Sequence, residues 1–204
     1  MNSLILPFQS EQWPEAGCDE AGRGCLAGPV VAAAVILDPA NPIAALNDSK
    51  QLSAKKRMEL RHQIHKHALA FGIGIADHNE IDQINILNAS ILAMHRAIDN
   101  LSQKPNFIIV DGNRFKNYQN IEHKCIIKGD SKFASIAAAS ILAKTERDLI
   151  MSELSELYPE YGWHKNQGYP TKTHRLAITN FGPCPLHRKT FKLLETQASL
   201  KLFD

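Results

Sequence analysis

The chain has 204 residues, 44% hydrophobic and 22% charged, a balance that excludes wholesale disorder and suits one sizeable core with a small appendage. A net charge of +2 is too small to demand a polyanionic partner, although the stretch from Glu160 onward is locally basic. The four cysteines, Cys18, Cys25, Cys125 and Cys184, form no C-x-x-C pair and read as reduced residues in small apolar sites, which excludes a disulfide scaffold.

In chain order, "MNSLILPFQSEQ" has no basic leader and too short an apolar run for a signal peptide. The uncharged run 25–37 is broken by Gly28 and Pro29 and is too short to span a bilayer, so a cytoplasmic protein is expected. "EAGCDEA" and "PVVAAAVIL" predict two short buried strands around a glycine-rich turn, close enough to pair as a hairpin. Ser53 is placed to cap a helix through "AKKRMELRHQIHKHA", and "LAFGIGIAD" predicts a third strand. Asn79, with Asp82 three residues on, is expected to open a second helix, whose apolar positions Ile81, Ile84, Leu87, Ile91, Leu92 and Ile98 keep helical spacing. "NFIIVDG" and "HKCIIKGD" predict two more strands, and "SKFASIAAASILAKTERDLIMSELSELY" the longest helix, its small residues allowing close approach to a sheet. From about Tyr158 the composition turns to Gly, Pro, aromatics and His, and "THRLAITNF" and "LHRKTFKLLETQ" predict two short helices. The expected fold is α/β, a mixed sheet with flanking helices, with residues 1–157 as the main domain and 158–204 as a helical appendage.

Three of the predicted strands end on acids: Asp19 and Glu20, Asp111, and Asp130. Ligand sites of open α/β sheets gather at strand ends, so these acids can converge on one point. Side chains alternate along a strand, so Glu20 is expected at the strand's very end, where the turn re-aims it. Clustered carboxylates without His or Cys are hard oxygen ligands of the kind Mg²⁺ and Mn²⁺ prefer, and such ions also take substrate phosphates. The same acids would otherwise serve as turn residues and helix caps. Gly22, Arg23 and Gly24 follow at once and let backbone N–H groups approach a ligand, or form a plain structural turn. Gly28 comes too late for a dinucleotide fingerprint. His62, His65 and His67 have a metal-like spacing but lie on a charged helix, where a solvated face is expected.

The stretches "GCDEAGRGCLAGPVVAAAVIL", "NDSKQLSAKKR", "FIIVDGN", "IIKGDSKFASIAAASILAKTERD" and "NQGYPTKTH" resemble, in order, the type 2 ribonuclease H family, specifically bacterial ribonuclease HII. The resemblance implies a ribonuclease-H-like sheet with flanking helices and a C-terminal helical part lining the substrate groove. It implies that Asp19, Glu20, Asp111 and Asp130 hold two divalent ions, Mn²⁺ or Mg²⁺, and carry catalysis, giving 3′-hydroxyl and 5′-phosphate ends. It further implies that Gly22, Arg23 and Gly24 read the ribonucleotide at an RNA–DNA junction, where the 2′-OH marks RNA. Tyr169 would stack on the neighbouring deoxyribose, Lys50 would lie near phosphates, and the protein would act as a monomer. Arg147 and Asp148 are expected to form a structural ion pair, and His174 is a candidate for orienting the Tyr169 loop. Cys25 and Cys18 depart from the small and branched residues common in the family, which makes oxidative inactivation conceivable. Ribonuclease HIII, with its extra N-terminal domain, fits poorly with sixteen residues ahead of Gly17. A non-catalytic hybrid-binding module would not need four acids facing a polyanion, and a resolvase or integrase would not need the ribose-reading turn and tyrosine. At the C-terminus, Gln197, Leu200, Leu202 and Phe203 resemble the short peptides with which replication proteins bind a sliding clamp; the same residues could instead continue a last helix.

Overall fold

The computed structural model describes residues 12–44, 46 and 52–194. Strands β1 (Glu15–Ala21) and β2 (Val30–Leu37) form the expected hairpin, antiparallel with Asp19 opposite Ala33 and Glu20 opposite Ala32. Helix α1 (Ala54–His67) follows, then β3 (Ala68–Ala76), α2 (His78–Asp99), β4 (Phe107–Asp111) and β5 (Glu122–Ile126). A 3₁₀ turn (Gly129–Ser131) leads into α3 (Ala134–Leu157), and α4 (Trp163–Asn166) and α5 (Lys172–Phe181) close the described chain. The sheet order is β3-β2-β1-β4-β5, with β2 antiparallel to both neighbours and β4 parallel to β1 and β5.

Strand β2 is buried throughout because both faces of the sheet are covered. Ala32 and Ala34 pack with Ala89, Ala93 and Met94 of α2, while Ala33 and Val35 pack with Leu60 and Ile64 of α1 and Ala137 and Ile141 of α3. The alanine run of α3 brings it so near the sheet that a Cβ at Gly17 would lie 2.3 Å from the Ser135 carbonyl carbon.

Ser53 caps α1 as expected, its Oγ accepting from the Lys56 N–H at 3.2 Å. Helix α2 opens two residues earlier than Asn79: Asp77 caps it and Glu80 returns the bond to the Asp77 N–H, a complete capping box. The helix is also not one rod, since Asn85 adopts φ 64° and its Oδ1 accepts from the N–H groups of Leu87 and Asn88, restarting the helix. Two further expectations are corrected. Strand β5 stops at Ile126, and Lys128 at φ 56° turns the chain so that Asp130 sits in the 3₁₀ turn rather than at a strand end. The segment around "LHRKTF" is not helical through Leu194, because its backbone is engaged elsewhere. Ala27 bridges to His187, Gly28 N–H donates to the Leu186 carbonyl at 3.0 Å, and Arg188 N–H donates to the Leu26 carbonyl at 2.8 Å. The candidate clamp peptide, Gln197, Leu200, Leu202 and Phe203, and Lys50 lie outside the described residues. Among the described residues no helix is long and apolar enough to cross a membrane.

Candidate active site

Because β1 and β4 are parallel neighbours, their carboxyl ends share one edge of the sheet, which sets Asp19, Glu20 and Asp111 side by side. Glu20 is not displaced to the strand's end: the ladder continues one residue past it, to Ala21 opposite Val31. Alternation still operates, and Asp19 lies on the α3 side of the sheet while Glu20 lies on the α2 side. Both reach one cavity of about 240 Å³ because it lies beyond the sheet edge rather than on a face. Gly22, Arg23, Gly24 and Asp111 line the same cavity, with Tyr169 opposite. Asp130 is buried on the neighbouring 3₁₀ turn, which is fastened to the site where Gly129 N–H donates to Asp111 Oδ1 at 2.7 Å.

Burial raises the Asp19 carboxyl well above the ordinary range, and the charges of Glu20 and Asp111 push it the same way. The Ser140 hydroxyl and the Glu20 N–H, the latter at 2.7 Å, donate to it and oppose the shift only in part. Among the described residues no three such side chains already stand as a closed metal-ligand group. Glu20 instead faces Arg23 at 3.1 Å. The donor set nevertheless fits a divalent cation: hard carboxylate oxygens, one of them driven toward its neutral form by burial and by like charges that a cation would offset.

The turn after β1 rests on two buried arginines. Gly22 has φ +98°, and a Cβ there would lie 2.0 Å from Arg147 Nε, so glycine is required on both counts. Arg147, 1% exposed, donates to the carbonyls of Pro29 (3.0 Å), Gln167 (2.8 Å) and Ala27 (3.2 Å). Arg188, fully buried, donates to the carbonyls of Gly28 (3.0 Å), Arg23 (3.0 Å) and Pro29 (3.1 Å). Burial pushes Arg188 down to about 10, still charged at neutral pH. The expected Arg147–Asp148 ion pair does not form. Adjacent helical residues point apart, and Asp148 pairs instead with Lys144 one turn back.

Tyr169 is 38% exposed, with the Arg147 guanidinium 5.9 Å from its ring centroid and the Cys25 thiol hydrogen-bonded to its hydroxyl. His174 does orient this loop, through its Nδ1 at 3.0 Å from the Tyr169 carbonyl. Its Nε2 receives Trp163 Nε1–H at 3.0 Å and lies 3.2 Å from His187 Nε2. His187 Nδ1 accepts from the Cys184 N–H at 3.0 Å, so the neutral ring carries its proton on Nε2 and also donates to His174. His62, His65 and His67 are exposed on α1, as expected of a solvated face.

The family model for ribonuclease HII matches residues 16–194. The chain belongs to the ribonuclease HII family. Ribonuclease HII of Bacteroides thetaiotaomicron is 58% identical over 191 residues, covering 94% of this chain and 96% of the relative. The crystal structure of ribonuclease H2 from Pyrococcus horikoshii OT3 is similar with a TM-score of 0.72 at 27% identity, covering 88% of this chain and 94% of that one. Ribonuclease HII in the PCNA complex from Archaeoglobus fulgidus is similar with a TM-score of 0.73 at 25% identity, covering 93% and 99%. The chain is therefore a metal-dependent ribonuclease H, a phosphodiester hydrolase with the ribonuclease-H-like fold.

Within this ribonuclease HII, three participants escaped sequence reasoning. Ser140 and Lys144 line the cavity from α3, and both lie inside the stretch that carried the resemblance, where helical spacing puts them on one face. Arg188 had no local signal, because its six-residue neighbourhood reads as an ordinary basic helix face.

Proposed function

We propose that this ribonuclease H cuts the RNA strand of RNA–DNA hybrids and also cuts 5′ of a single ribonucleotide embedded in duplex DNA, leaving 3′-hydroxyl and 5′-phosphate ends. The observation that carries the reading is one cavity in which Asp19, Glu20 and Asp111 meet a side-chain-poor turn and Tyr169, with Asp130 outside the lining on the adjoining 3₁₀ turn. Asp19, Glu20, Asp111 and Asp130 would hold two divalent ions, Mn²⁺ or Mg²⁺, which when bound supply an activated water and charge stabilisation at the leaving oxygen. The chain does the rest. Backbone groups of Gly22, Arg23 and Gly24 are offered to the ribose 2′-OH, with open space at Gly24 where a Cβ would otherwise stand. Tyr169, its ring braced by Arg147, offers a flat surface to the next sugar, where a 2′-OH would crowd it. Ser140 holds the Asp19 carboxylate in position. Lys50 is proposed near the phosphates.

The test is a labelled DNA duplex with one ribonucleotide, incubated with and without Mg²⁺ or Mn²⁺. A single cut 5′ of the ribonucleotide, only with the ion, is expected. Cleavage of an all-DNA duplex at a similar rate would count against the reading.

A second reading concerns Gln197, Leu200, Leu202 and Phe203. The Archaeoglobus fulgidus ribonuclease HII was solved in complex with PCNA, which supports a sliding clamp as a partner of this chain, and we assign the contact to these terminal residues on their sequence. Tethering would raise the local enzyme concentration on newly made DNA. Deleting residues 199–204 is expected to abolish clamp binding and leave the melting temperature unchanged. A lower melting temperature with no clamp affinity in the intact protein would show that the peptide merely packs on the fold.

A further inference from the structure

A second cavity, of about 160 Å³, lies on the α2 side of the same acids. Glu20, Arg23 and Asp111 line both cavities, so the acids form the partition between them. The new cavity is walled by Leu87, Ile91 and Met94 from the part of α2 beyond the Asn85 break. Asn113 and Arg114, exposed on the loop after β4, stand at its rim.

Ser90 also lines it, and that residue is the informative one. It is 2% exposed, and its Oγ has no hydrogen-bond partner among the described residues. A helical serine ordinarily returns its hydroxyl to a carbonyl one turn back, and a buried hydroxyl without a partner is unfavourable. A polar group entering the cavity would give it a partner.

From this arrangement we infer that the cavity is the subsite for the nucleotide on the 5′ side of the cut. The inference rests on the proposed cleavage 5′ of the ribonucleotide. In that reading the strand runs from Tyr169 to the glycine turn and then to the acids, all on the α3 side of the sheet edge or at it. The residue that carries the leaving 3′-oxygen must then pass over the acids to the α2 side, where this cavity opens. Its chemistry suits a sugar–phosphate. Leu87, Ile91 and Met94 face the apolar side of a deoxyribose, and Arg114 and Asn113 offer donors to the phosphate on its 5′ side. Ser90 supplies one further hydroxyl.

The experiment pairs protein variants with a substrate change. A single-ribonucleotide duplex is prepared with a neutral methylphosphonate replacing the phosphate 5′ of the nucleotide that precedes the cut. Arg114→Gln is expected to lower kcat/KM about tenfold on the ordinary duplex and to have almost no effect on the neutral one. The same coupling is expected in duplex affinity measured by fluorescence anisotropy with a chelator present. Ser90→Ala is expected to raise KM severalfold while the melting temperature holds or rises, because it removes an unpartnered hydroxyl. Equal losses for Arg114→Gln on both duplexes, or a neutral linkage that wild type does not notice, would overturn the subsite while leaving the cleavage reading intact. A wild-type protein that fails to cut 5′ of the ribonucleotide would overturn both.

Discussion

Asp19 and Asp111 stand next to each other in the site but are held differently. Asp19 is buried against α3 and pushed toward its neutral form, whereas Asp111 is anchored by the Gly129 N–H and half exposed. An amide at Asp111 keeps an acceptor oxygen for Gly129 but removes one negative charge from the cluster. Asp111→Asn is therefore expected to lower cleavage by more than about 100-fold, beyond what loss of a mere outer partner of a metal site costs. Duplex affinity should hold or tighten, because less negative charge then faces the phosphates. A variant that cuts at near wild-type rate in Mg²⁺ would remove Asp111 from the metal set. At this scale the sequence was highly legible. Asp19, Glu20 and Asp111 meet in one cavity because strand-end acids on parallel neighbours have few other places to go. The sharing of the pair was not legible in detail: Glu20 reaches the site from the opposite side of the sheet, without leaving the ladder.

At the scale of elements, α3 and the segment after α5 grip the β1–β2 turn through Arg147 and Arg188. Between them they bond five different carbonyls, from Arg23, Ala27, Gly28, Pro29 and Gln167. Such a buried guanidinium is satisfied by geometry rather than by a counter-charge, so truncation leaves carbonyls without donors in a dry place. Arg188→Ala is expected to cost about 2–3 kcal/mol, seen as a melting temperature lower by roughly 5–10 °C for a chain of this size. Because Arg23 is one of the residues held, the ratio of kcat/KM for a ribonucleotide-containing duplex over an all-DNA duplex should fall as well. Loss of stability with an unchanged ratio would make Arg188 a scaffold residue only. This grip could not be read from sequence. Arg147 and Asp148 are adjacent, which invites a pairing that helix geometry forbids, and two of the three carbonyls Arg147 serves, those of Pro29 and Ala27, lie more than a hundred residues away. The same long-range bonding explains why the basic stretch near Arg188 is not a helix: strand-like pairing to Leu26 and Gly28 overrides its apolar spacing.

Across the whole molecule, the strand and helix order of the sheet followed from periodicity, and what escaped was the way the last forty described residues are tied to the edge that carries the acids. Leu26 and Ala27 of the β1–β2 turn pack with Trp163, Ile178 and Leu193, and His174 and His187 stand as a neutral pair beside them. Burial lowers His187 to about 4, with the His174 ring acting in the same direction, and His174 is itself lowered by burial. An unfolded histidine titrates near about 6.5, so below that pH the unfolded chain takes up protons that the folded pair refuses. The stability linked to His187 is thus fully present above about pH 6.5 and is lost as pH falls toward about 4. The slope is at most about 1.4 kcal/mol per pH unit for one such group. Between pH 7 and pH 5 the melting temperature should drop by roughly 4–8 °C from this source. Other groups titrate over the same range, so the measurement is a comparison: melting curves of wild type and His187→Gln at both pH values. The variant should be less stable at pH 7 and should show a shallower fall to pH 5, because glutamine takes up no proton in either state. Parallel falls in the two proteins would mean that the histidine pair is not what couples the tail to pH. Protonation enters at His187 Nδ1, the nitrogen that accepts from the Cys184 N–H, so it favours local opening there, and amide protection near Cys184, corrected for the slower intrinsic exchange in acid, should fall at pH 5 before the sheet opens.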